Sequence, residues 1–169
     1  MRKKLIFLAT LGMVLSLGVA AQATIYTNYP AFLAAFPDPI VENFEDVILQ
    51  PGLSVVSTYP NAIIENGVYK DLVGGPNLYT TTWTNSQGFT AFGGWFDLAN
   101  PGGPGTGILV TVLGTNEKIG EILNSYNGGF WGFSSGYAFN SVLFSEGTNP
   151  ATQETYWNVD LAYKQVPEP

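Results

Sequence analysis

The chain has 169 residues, of which 46% are hydrophobic, 14% aromatic and 11% charged, with no Cys and no His. That length suits one packed domain, and the two missing residue types exclude disulfides, thiol catalysis, thiolate or histidine metal sites and histidine-dependent triads. Six Lys and Arg face 13 Asp and Glu, and an acidic chain without a basic patch is excluded as a nucleic-acid binder, because phosphates need cations.

Residues 1–23 read as a secretory signal. Arg2-Lys3-Lys4 forms a cationic start, and Leu5 to Ala21 is apolar except at Thr10, Gly12, Ser16 and Gly18. Ala21-Gln22-Ala23 then fits the small-x-small pattern of a signal peptidase, which places cleavage before Thr24. The apolar run is at the short limit for crossing a bilayer about 30 Å thick, so it is read as a leader, and no membrane span is expected in the mature chain. No Cys stands near the site for lipoprotein processing. After cleavage only Lys70, Lys118 and Lys164 oppose the acids, a balance that repels anionic membranes and nucleic acid.

One short helix is predicted, over residues 29–36, with Pro30 in its first turn and Phe32, Leu33 and Phe36 on its apolar side. Asp38-Pro39 stops it. Thereafter short β-prone runs alternate with Gly, Pro, Asn and Ser, predicting strands near 40–47, 53–58, 61–65, 67–73, 78–84, 89–98, 107–113, 117–123, 129–135, 139–145 and 154–164. Gly107 to Leu113 is apolar on both faces, as a central strand requires. In the last strand, alternation puts Trp157, Val159, Leu161 and Tyr163 on one face and Tyr156, Asn158, Asp160 and Lys164 on the other. Many short strands and little helix predict an all-β fold: one antiparallel β-sandwich over residues 24–164, jelly-roll-like.

The chain ends Gln165-Val166-Pro167-Glu168-Pro169. Val166, Pro167, Glu168 and Pro169, placed just after the last strand of an exported, Gly- and aromatic-rich β-protein, resemble the start of the PEP-CTERM sorting signal. In that family a hydrophobic helix and an Arg cluster follow, and a membrane exosortase processes the tail; here residues 165–169 give the motif alone. The body is similar too. Residues 27–36 resemble the family's N-terminal helix, and Val41-Glu42-Asn43-Phe44-Glu45-Asp46 its following strand. Phe92 to Leu98 and Gly129 to Phe133 resemble two Gly-aromatic strands, and Val159-Asp160-Leu161-Ala162-Tyr163 the last strand. The resemblance implies a cell-surface or secreted protein of a bacterium that makes exopolysaccharide, with exosortase as a partner where a full tail exists. It implies no reaction.

Two residue groups carry candidate chemistry. Glu42, Glu45 and Asp46 lie on the first core strand and Asp160 on the last, and jelly rolls often make these strands neighbours. Glu45 with Asp160 and loop carbonyls would then offer the oxygens that a structural calcium needs. The same acids could be solvated, or could act as a glycosidase pair, although nothing in the sequence sets the separation that such a pair needs. The second group is aromatic. Tyr79, Trp83, Asn85, Trp95, Tyr126 and Asn127 lie in or beside loop-prone segments, where rings could stack on sugars and amides could bind hydroxyls. The alternative is that most rings fill the core, where alternation places Trp157 and Phe133. Gly102-Gly103-Pro104-Gly105-Thr106-Gly107 lacks the Lys-Ser/Thr of a phosphate loop and reads as a connection between strands. The expectation is a non-enzymatic exported protein that adheres to or organises extracellular polysaccharide; the alternatives are a calcium-stabilised carbohydrate-binding module and a polysaccharide-active enzyme.

Overall fold

A computed structural model of the chain describes residues 23–99 and 104–167. The leader up to Gln22, including Ala21, and the last two motif residues, Glu168 and Pro169, lie outside the described residues. The elements in order are β1 (Thr24–Tyr26), α1 (Tyr29–Ala35), β2 (Ile40–Glu42), β3 (Leu53–Ser57), β4 (Ile63–Glu65), β5 (Val68–Gly74), β6 (Thr81–Leu98), β7 (Ile108–Val112), β8 (Glu117–Ile122), β9 (Asn127–Glu146) and β10 (Gln153–Gln165). The fold is all-β, as expected, with the single short helix where Pro30 places it. Asn28 caps that helix by accepting a hydrogen bond from the Ala31 amide at 2.9 Å.

The described strands form one antiparallel sheet in the order β4-β5-β10-β6-β9-β7-β8, with β1 on β9, β2 on β10 and β3 on β6. Three long strands, β10, β6 and β9, form its centre. The first half of β6 pairs with β3 and its second half with β10, so the flanks change along the strand. Rings from strands that are not hydrogen-bonded neighbours meet across the core. Tyr69 of β5 lies 5.0 Å from Trp83 of β6, and Tyr156 of β10 lies 5.9 Å from Phe144 of β9. The sheet therefore folds over itself as a sandwich, with Phe89, Phe92, Phe96, Phe133, Phe144, Tyr156 and Tyr163 all buried inside.

Several strands differ in extent from expectation. The expected strands 78–84 and 89–98 merge into β6, which begins at Thr81, and 129–135 and 139–145 merge into β9, because residues 85–88 of β6 and 135–138 of β9 leave their mutual ladder without ending either strand. Residues 40–47 shorten to β2, because Phe44 has φ of +54° and cannot continue an extended chain. As expected, β7 is central, between β8 and β9, and the first core strand adjoins the last: Glu42 of β2 pairs with Leu161 of β10.

The largest correction concerns β10. Leu161 and Tyr163 face the core as expected, but Val159 is 38% exposed, Trp157 is half-buried, and Tyr156 and Asn158 are fully buried. The cause is a bulge: Asn158 pairs with Phe96 and Leu161 with Gly94, so β10 spends one residue more than β6 over that stretch. Each bulge residue shifts the alternation by one, which turns Trp157 out of the core and Tyr156 into it. Asn158 holds the kink, its side-chain amide donating to the Trp95 carbonyl at 3.2 Å and the Asp160 carbonyl at 2.7 Å. Gly94 makes the room: a Cβ there would stand 2.7 Å from the Asp160 oxygen.

Candidate ligand-binding face

The outer face of the long strands is divided in two. On one half α1 lays Phe32 against Phe130, with ring centroids 5.1 Å apart, while Tyr29 covers Trp95 at 4.6 Å. Phe32, Ala91, Phe130 and Ala162 are buried there as a second, smaller core. Among the described residues no helix lies over the other half. There the register sets four residues directly opposite one another across four adjacent strands: Lys70 of β5, Trp157 of β10, Asp97 of β6 and Asn127 of β9. With strands about 4.8 Å apart, the row is roughly 14 Å long.

Trp157, Asp97 and Asn127 line a cleft of about 480 Å³ floored by Val68 and Val159. The Lys70 ammonium stands 5.5 Å from the centre of the Trp157 ring, within reach of a cation–π contact. A flat indole beside a carboxylate acceptor and an amide that both donates and accepts matches a flat ligand with apolar ring faces and hydroxyl edges.

The sequence-derived ligand residues scatter. Trp83 and Asn85 are fully buried, so neither offers a surface to a sugar; Trp83 packs between Phe44 and Tyr69. Trp95 lies under α1. Tyr79 is half-buried at another edge, its ring 5.2 Å from Tyr59 and its hydroxyl accepting from the Asn77 amide at 2.6 Å. Tyr126 packs against the main core, and its burial pushes the phenol pKa up. Of the six only Asn127 lines the cleft. Trp157, Asp97 and Lys70 were missed, because period-two alternation assigned Trp157 to the core and no sequence signal marks the bulge.

The acids divide by their partners. Glu42 is buried, and its two oxygens accept from the backbone amides of Phe44 at 2.8 Å and Gln50 at 2.7 Å, pinning the loop after β2. Glu45 is exposed. Asp160 is near enough to both that burial first, and then the charges of Glu42 and Glu45, raise its pKa. Among the described residues no group of three or more acids is arranged to hold an ion, so the calcium expectation for Glu45 and Asp160 gains no donor set here.

The most buried carboxylate, Asp71, was not singled out in the sequence. Its Oδ1 accepts from the Ser57 hydroxyl at 2.9 Å and the Leu72 amide at 2.7 Å; its Oδ2 accepts from Tyr69 at 2.6 Å and Thr81 at 2.5 Å. Tyr156 donates onward to Thr81 at 2.9 Å. Burial and the neighbouring Asp71 charge push the Tyr69 phenol pKa far up, so it remains a donor. This network ties together four strands and leaves the carboxylate no vacant oxygen for proton transfer.

Thr24 begins β1, directly after the expected cleavage point and Ala23. Beyond β10 the Val166 amide donates to the Gly88 carbonyl at 3.2 Å, and exposed Pro167 leads on into the rest of the motif. No helix among the described residues is long and apolar enough to cross a membrane. Comparison with known proteins returned no matching family model, no matching curated protein and no matching solved structure.

Proposed function

We propose that the chain is an exported, non-enzymatic protein of the bacterial cell surface or extracellular matrix that holds polysaccharide on the uncovered half of its outer face. The observation that carries this reading is the Lys70–Trp157–Asp97–Asn127 row, an oriented aromatic flanked by hydroxyl-binding groups along an open cleft. The leader pattern and the Val166–Pro169 motif support export and a surface destination. A binding role is favoured over hydrolysis because, among the described residues, the cleft is lined by one carboxylate, Asp97, where glycoside hydrolysis commonly needs two flanking the bond.

The test is retention of the purified chain on a panel of insoluble polysaccharides, run with calcium and with chelator. Saturable retention that Trp157→Ala weakens about tenfold or more is the expected result. Absence of retention on every polysaccharide, or retention indifferent to Trp157→Ala, overturns the reading. Chelator-sensitive retention would restore Glu45 and Asp160 as an ion site.

A further inference from the structure

The chain contains two Asn-Gly pairs, Asn66-Gly67 and Asn127-Gly128. In such a pair the side-chain carboxamide is open to attack by the next backbone nitrogen, because glycine has no Cβ to shield that nitrogen. The two pairs sit in different surroundings. Asn66 and Gly67 have φ of +53° and +77° and form the two-residue turn between the paired Glu65 and Val68, a conformation that the β4–β5 hairpin fixes. Asn127 is the exposed first residue of β9. Phe96 pairs with Gly129 and Asp97 with Asn127, so Gly128 is an extra residue with no partner on β6. Gly128 is exposed, with φ of +68°, and among the described residues a Cβ there would meet nothing within 4 Å beyond its chain neighbours. Among the same residues no hydrogen bond holds the Asn127 carboxamide, which is free to turn toward the Gly128 nitrogen.

We propose that Asn127 is a site of spontaneous deamidation, and that the reaction switches the Trp157 cleft off. The Gly128 backbone nitrogen attacks the Asn127 Cγ, and the new C–N bond closes a five-membered imide. The bond from Cγ to Nδ2 breaks, and ammonia leaves with the proton from the Gly128 nitrogen. Water then opens the imide, giving its hydroxyl to a carbonyl carbon and a proton to the nitrogen. Opening at Cγ leaves aspartate; opening at the backbone carbonyl leaves isoaspartate, with the chain running through the former side chain. Either product ionises at neutral pH. Asn127 lies directly opposite Asp97, and both line the cleft with Trp157. Conversion therefore replaces an amide that donates with a carboxylate that only accepts, and sets like charges face to face across the ladder, which weakens a strand pair. Lys70 stands at the other end of the row, beside Trp157, and not next to the new charge. The loss of sugar binding rests on the reading of the cleft given above; the deamidation does not.

The test holds the purified chain for weeks at mildly alkaline pH, beside a matched sample kept mildly acidic, and maps both by peptide mass spectrometry. The peptide containing Asn127 should gain the mass that marks an amide turned into an acid. The gain should be faster at alkaline pH, because the attacking nitrogen must shed its proton, and absent from Asn127→Gln, whose longer side chain closes such a ring far more slowly. The unfolding midpoint should fall as conversion proceeds, and added salt should narrow the fall. Asn127→Asp should show the lower midpoint from the start. Retention on a polysaccharide that holds the fresh chain should weaken about three- to tenfold on full conversion, as loss of a hydrogen bond implies. Retention of Asn127→Gln should stay at its own starting value over the same time. An Asn127 peptide of unchanged mass, even with conversion at Asn66, overturns the proposal. Full conversion with undiminished retention overturns the switch. If the fresh chain is retained by no polysaccharide, the switch falls with the cleft reading, while mass and midpoint still decide the deamidation.

Discussion

Trp95 and Trp157 stand on the same outer face of the same sheet, one strand apart, and do different work. Trp95 is covered by Tyr29 of α1 and packs at 5.1 Å on Phe130, as part of a small core. Trp157 has the Lys70 ammonium over its ring and, among the described residues, opens onto a cleft. The indole is the same in both places; what differs is whether another element packs on it. The helix ends at Ala35 and packs on Trp95 and Phe130, so among the described residues the half of the face around Trp157 keeps an aromatic surface.

The sharpest way to break this contrast is to remove the helix's anchor. Phe32 is fully buried against Tyr26, Phe36 and Phe130, so Phe32→Ala should cost about 3–5 kcal/mol in urea unfolding. Trp157→Ala, by contrast, should cost less than about 1 kcal/mol, because a half-buried ring loses little burial and one exposed cation–π contact. Similar costs for the two variants would mean that the outer face is uniform and that Trp157 is an ordinary packing residue.

Next in size is the device that turns Trp157 outward. Asn158 spans the bulge by donating to the carbonyls of Trp95 and Asp160. Asn158→Ala strands both oxygens inside the protein and should lower stability by about 1–3 kcal/mol. It should also weaken glycan retention, although Asn158 does not itself line the cleft, because the direction of Trp157 depends on the bulge. Thermal unfolding and retention measured on one sample check both parts. A variant that is destabilised but retains glycan fully would show that the register of β10 survives without its pin.

The strand-rich class and the short helix were legible in the sequence, because turn residues and apolar runs are local signals; the adjacency of the first and last core strands came from the jelly-roll expectation and not from any spacing. The identity of the open face was not. It depends on the extra residue between Asn158 and Leu161, and the space for that residue comes from Gly94, far away in sequence. Alternation read without the bulge places Trp157 inside and Tyr156 outside, the reverse of their positions. The Asp71 network was hidden for a similar reason: Ser57, Tyr69, Asp71, Thr81 and Tyr156 come from four strands, and no spacing in one segment announces them. Trp83 misled by composition alone, since an aromatic among Thr and Asn looks exposed, yet β3 and β5 close over it.

The smallest effect concerns the acids near the covered half, where Asp160 faces Glu42 and Glu45. Its pKa is raised by burial and then by those two charges, so the folded chain holds the proton more tightly than the unfolded chain does. Below the ordinary carboxylate pKa of about 3.9 both states are protonated and the group contributes nothing. As pH rises past that value the unfolded state ionises first, and the folded state is penalised fully once pH exceeds the raised pKa. Asp160→Asn should therefore be the more stable protein at neutral pH, by about a few tenths of a kcal/mol once solvent screening is allowed for. The advantage should shrink with salt and vanish below about pH 4. Unfolding midpoints of both proteins across pH check this. If Asp160→Asn is instead less stable at neutral pH, the ionised carboxylate has a favourable partner other than these acids. Loss of that difference on adding chelator would then identify the partner as a bound cation.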